Sequence, residues 1–81
     1  PQLLKFDVAP GSNTAWVAFT IDRPVSMVLK IDGRTIRGGT PTDIRAVYLK
    51  RLARGVRHEY EITLTDGFGN ELILNGAFET L

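Results

Sequence analysis

"LARGVRHEYEITLTDGFGNE", residues 52–71, decides how this chain folds. His58, Tyr60, Ile62 and Leu64 alternate with Glu59, Glu61 and Thr63. Successive side chains of an extended backbone point to opposite faces, so the stretch reads as a strand with one face buried and one wet. Reversals bracket it. "ARG" (53–55) precedes it and "DGFGN" (66–70) follows, supplying Gly, Asp and Asn where the backbone must turn.

The same period of two runs outward in both directions. "LLKFDV" places Leu4, Phe6 and Val8 on one face, with Lys5 and Asp7 on the other. "AWVAFTID" sets Val17, Phe19 and Ile21 against Trp16, Ala18 and Thr20, and "MVLKID" turns Leu29 and Ile31 inward. "IRAVYLKRL" offers Val47 and Leu49, flanked by Tyr48 and Lys50; "ELILNGAF" offers Leu72, Leu74 and Phe78. Turn signals lie between them: "APGSN" (9–13), "DRP" (22–24), "DGR" (32–34) and "GGTPTD" (38–43). Asp32-Gly33 predicts a tight hairpin, and Asn75-Gly76 within the last strand predicts a bulge. No window carries a helical period. Six main strands and a short seventh at Thr35–Arg37 predict an all-β, two-sheet antiparallel sandwich.

At 81 residues the chain is read as a single domain, 1–81, that buries roughly 60% of the surface its unfolded form exposes. Such a core has little stability to spare for a deep pocket. The chain has no cysteine, so neither disulfides nor Cys-ligated zinc hold it. Its net charge of +1 implies no polyanionic partner by itself. No apolar run approaches the roughly 18–20 residues that span a bilayer, and membrane insertion is not expected. The chain begins at Pro1 without a Met, which reads as a segment of something longer.

Three segments in order resemble a fibronectin type III or similar immunoglobulin-like module of the bacterial, enzyme-appended type. "VAFTIDRP" (17–24) resembles the second strand with its charged-Pro corner. "LKRLARGVRHEYEITLTDGFGN" (49–70) resembles the Leu-x-x-Leu-x-x-Gly corner, the long sixth strand and the Asp-x-x-Gly-Asn turn. "FETL" (78–81) resembles the Phe-x-Thr ending of the last strand. The family's corner tyrosine falls three residues after the Gly. Here that position is His58, and the tyrosine stands at Tyr60. Two readings stay open: an imidazole replacing the corner hydroxyl, or Tyr60 taking its part. Arg54 also stands where the family has Pro. The resemblance implies a non-catalytic accessory module, acting as spacer or interaction domain, in a larger extracellular or envelope protein. Its partners would be neighbouring domains, with a monomer expected in isolation.

Each candidate for chemistry has a plainer reading beside it. His58 is the only histidine, but a general base needs a substrate within about 3 Å and an orienting carboxylate, while Glu59 and Glu61 point to the other face. It reads as a corner residue. Glu59 and Glu61 lie side by side on the wet face, without the cleft that glycosidic carboxylates require. Asp66 and Asn70 supply too few oxygens for calcium and read as turn residues. Neither catalytic group, metal nor cofactor is assigned. Two aromatics are candidate contact residues. Trp16 has outward parity, suited to stacking on a sugar or packing on the protein's own surface. Phe68 at a loop tip is as consistent with contact as with folding back over the core. Arg45, Lys50, Arg51, Arg54 and Arg57 form a basic run without an intervening acid, a candidate surface for a glycan, an anionic polymer or an acidic protein. No nucleic-acid motif accompanies it, so nucleic acid is not the expected partner.

Overall fold

A computed structural model describes all of residues 1–81. Its strands are β1 (Leu3–Pro10), β2 (Ala15–Ile31), β3 (Arg34–Arg37), β4 (Thr42–Leu49), β5 (Arg57–Asp66) and β6 (Glu71–Glu79), with no helix. Every pairing is antiparallel. β2 carries the expected second and third strands as one run of 17 residues. Its first half pairs with β1 and β4; its second half pairs with β3 and β5, and β6 lies beyond β5.

Seventeen extended residues would reach roughly 55 Å. The longest dimension of the molecule is 39 Å, so β2 must fold over. The bend is at Asp22–Pro24, where the register against β4 jumps from Thr20↔Ile44 to Val25↔Thr42. Beyond it the chain returns to its starting pole. Leu52 N donates to Asn13 O, just ahead of β2, and His58 bonds both Ala53 O and Asp32, just after it. The halves of β2 therefore sit in two facing layers: β1-β2-β4 against β3-β2-β5-β6.

Between the layers lies one core. Ala15, Val17, Phe19 and Ile21 meet Val25, Met27, Leu29 and Ile31, with Leu49, Leu52, Ile62, Leu64 and Phe78 from the other elements. Odd-numbered positions stay inside on both arms of β2, so its inward face survives the bend. Complete burial of a side chain such as Leu29 or Ile62 stabilises by about 1.5–3 kcal/mol. Phe6, Val8, Tyr60, Leu72 and Leu74 pack around the rim of this interior.

Asp32 and Gly33 form a two-residue hairpin loop, with φ of 51° and 73°. Positive φ at both central residues matches the right-handed twist of the flanking strands.

Two expectations are corrected. Leu4 is 62% exposed, and Leu3 packs on the core in its place. A register shift between Leu3 and Lys5 exchanges the two faces at that point. The bulge predicted at Asn75-Gly76 is absent, because β5 and β6 pair without a shift from Arg57↔Glu79 to Thr65↔Glu71. Gly76 instead leaves room for Tyr60 directly opposite. A Cβ there would press on the phenol hydroxyl and lie 2.6 Å from Tyr60 Cζ.

Candidate functional site

His58 is buried at the pole where β2 begins and ends. Its Nδ1 lies 2.7 Å from Asp32 Oδ2 and its Nε2 lies 3.0 Å from Ala53 O. A carbonyl oxygen can only accept, so Nε2 carries a proton and donates it to Ala53. Thr80 Oγ1 donates to the same carbonyl at 2.6 Å and accepts from Val56 N at 3.3 Å. Asp32, His58 and Thr80 therefore have the outline of a nucleophile relay without its proton path. An Nε2 that already donates cannot take a proton from Thr80, whose own hydrogen is turned to Ala53. The three side chains close the 53–56 corner. Tyr60 does not share that task; its ring packs between Phe6 and Phe78, each 6.2 Å away by centroid. Burial pushes its phenol pKa up.

The opposite pole is organised by Asp66, whose side chain is 1% exposed. Its Oδ1 accepts from Phe68 N and Asn70 N, both at 2.9 Å, and its Oδ2 accepts from Asn70 Nδ2 at 3.1 Å. Arg23 approaches the same oxygen at 3.5 Å. Burial pushes the carboxyl pKa up, but these donors outweigh it and the net shift is downward. The turn thus engages both carboxylate oxygens with N–H donors. Nearby, Asp22 is also held below its ordinary value, first by the Gln2 N–H and then by Arg23. Phe68 stands at the tip of this turn, 88% exposed, and does not fold back over the core.

Trp16 faces outward, 49% exposed. It pairs across the ladder with Tyr48, ring centroids 4.7 Å apart and tilted 39°. Lys50 Nζ sits 5.7 Å from the Tyr48 ring centroid. Indole, phenol and ammonium so form a short row on the outer face of β1-β2-β4. The sequence placed Trp16 outward but gave no sign of Tyr48 as its partner, since cross-strand register is not visible in one strand.

The basic run divides. Lys50, Arg51, Arg54 and Arg57 are exposed around the His58 pole, where Arg34 joins them by donating to Lys50 O at 2.9 Å. Arg57 lies 3.6 Å from Glu59. Arg45 does not belong to this group. It shares the inward parity of Val47 and Leu49, its guanidinium rests against Gly38, and Nη2 donates to Thr40 O at 2.7 Å. Trp16 and the four remaining cations thus share one end, while Phe68 occupies the other.

Layer order, the Leu52–Gly55 corner and the closing Thr80 define a fibronectin type III-like sandwich. Solved structures share the fold, among them the following two. One, described as a myokine structure, superposes with a TM-score of 0.68 at 14% identity, covering 98% of this chain and 95% of the other. The second is the fibronectin type III domain of human fibronectin type III domain containing protein 3, with a TM-score of 0.58 at 10% identity, covering 99% and 86%. No family model matches the sequence, and no curated protein matches it. Domains of this fold are commonly non-catalytic modules.

Proposed function

We propose that this domain is a non-catalytic accessory module that holds neighbouring domains of an extracellular or envelope protein at a fixed separation. One observation carries the reading. Gln2 N is tied to Asp22 Oδ1 at one pole, and Leu81 N is tied to Gly11 O at the other. The eight residues of β1 run between these anchors, roughly 26 Å of extended chain. Force or position entering at one end passes through paired strands to the other. The test uses cysteines added at both ends, which no native cysteine complicates, carrying donor and acceptor dyes. A rigid spacer gives one narrow transfer distribution that is unchanged by salt. A broad or divided distribution overturns the reading.

A second reading is favoured by the row Trp16–Tyr48–Lys50. Aromatic faces stack on sugar rings, and the adjacent ammonium with the Arg51 and Arg54 rim suits an acidic glycan. In this case heparin oligosaccharides quench Trp16 fluorescence, salt reverses the effect, and Arg51→Ala/Arg54→Ala weakens it. Unchanged emission leaves the spacer reading.

A further inference from the structure

The two layers expose four strand edges, and three of them are protected. β1 carries a register shift between Leu3 and Lys5 and ends at Pro10. β3 has only four residues, including Arg34 and Arg37. On β4, Thr42 Oγ1 accepts from Ile44 N at 3.3 Å and donates to Ile44 O at 3.0 Å, and Arg45 has inward parity. Shortness, bulges, proline and inward charge are the means by which sheet edges avoid further pairing.

β6 has none of them. It is nine residues long, "ELILNGAFE", in unbroken register with β5. Apart from that ladder, no hydrogen bond involves the backbone of residues 71–79. Asp66 N donates to Asn70 O, so alternation turns the amides of Leu72, Leu74, Gly76 and Phe78 toward β5. Those of Glu71, Ile73, Asn75, Ala77 and Glu79 face outward, unpaired.

Charge decides what fits there. If a second copy paired along the full length of β6, in parallel or antiparallel register, Glu71 and Glu79 would face glutamates at both ends. Like charges directly opposite are destabilising. A basic strand has the opposite prospect. Lys30 stands opposite Glu61 and Arg57 opposite Glu79 without closing an ion pair. Glu71 has no cation opposite it, and Glu59 is paired with Arg57 alone. Glu59 and Glu61 stand opposite Ala77 and Asn75. These short side chains leave a cation on an added strand free to reach across β6 to both carboxylates. An open depression of about 360 Å³ at Asn75–Ala77, bordered by Arg57, Glu59 and Tyr60, has room for such a side chain. On the inward side Leu72 and Leu74 are only half-buried and offer apolar cover to alternate residues.

We propose that β6 is a docking edge for an extended segment of another protein that alternates basic with aliphatic residues and adds to the sheet as a further strand. The claim is independent of the spacer reading, since it concerns the side of the module and not its ends.

The test titrates the ¹⁵N-labelled domain with the capped heptapeptide Lys-Val-Lys-Val-Lys-Val-Lys. The expected result is shifted and exchange-protected amides at Ile73, Asn75 and Ala77, with affinity falling as salt rises. N-methylation of alternate peptide amides abolishes this. Asn75→Pro, which removes one outward donor at a position where an edge tolerates proline, weakens binding roughly tenfold while the folded spectrum is kept. Equal binding of a control heptapeptide Glu-Val-Glu-Val-Glu-Val-Glu, shifts confined to the Trp16 face, or indifference to N-methylation overturns the proposal. So does protection of the same amides by concentration alone, which would make the occupant a second copy.

Discussion

His58, Asp66 and Thr80 are the buried polar side chains, and all three lie at the poles of the sandwich, where they tie loops to strands. A buried polar group left without partners costs more than its bond contributes when made. His58→Ala removes bonds to Asp32 and Ala53 and the stacking with Phe78, whose ring centroid lies 5.4 Å away. It should lower stability by roughly 2–4 kcal/mol, read from the urea midpoint. Asp66 predicts a pH effect whose sign follows from its lowered folded-state pKa. Its contribution is complete above the ordinary value of 3.8 and is lost as pH falls through the lower folded value. Thermal midpoints should hold near neutrality and fall below about pH 4. Asp66→Asn should start lower at neutral pH and show a shallower acid limb. A limb of unchanged steepness would assign acid sensitivity to other carboxylates. The sequence indicated His58 as a corner residue but left Tyr60 in contention, because distance to Ala53 O is a property of the folded corner.

Strand positions were legible because a strand with one wet face records its own parity. Local detail was less so wherever two registers satisfied the same pattern. Leu3 and Leu4 are adjacent and chemically identical, so either can be the inward residue; only pairing of Leu3 with Ile21 and of Lys5 with Thr20 selects Leu3. Leu3→Ala should therefore cost about 1–2 kcal/mol, while Leu4→Ala stays within about 0.5 kcal/mol. Equal costs in denaturant titrations would contradict the β1 shift. Gly76 has the same lesson on β6. A glycine within a strand pattern marks either a bulge or a close approach, and the approaching Tyr60 sits 16 residues earlier in the chain, on the neighbouring strand. Gly76→Ala should destabilise by about 1–3 kcal/mol through overpacking, and the penalty should largely vanish in a Tyr60→Ala background. The basic run was legible as composition only. Its division into an exposed rim and an inward Arg45 depends on where β4 ends.

At the scale of the whole molecule, β2 sets the unfolding behaviour. It pairs with β1, β3, β4 and β5, leaving β5–β6 as the one ladder without it. Its inward residues supply eight of the thirteen buried apolar side chains in the core. Neither layer can therefore lose β2 and persist, and the layers cannot open in turn as two independent sheets would. Native-state hydrogen exchange should give amides of Val17–Phe19 and Met27–Leu29 the same opening free energy, equal to that of global unfolding. Fluorescence of Trp16 on one layer and far-ultraviolet dichroism of the whole should follow one denaturation curve. The exposed edge β3 should open at lower free energy, since four residues on one ladder hold it. Folding should be slow for this length, in the range of milliseconds to seconds, because the β2–β4 and β2–β5 pairings join residues distant in sequence. A first layer that exchanges at markedly lower free energy than the second would show that the bend at Asp22–Pro24 uncouples the two arms of β2.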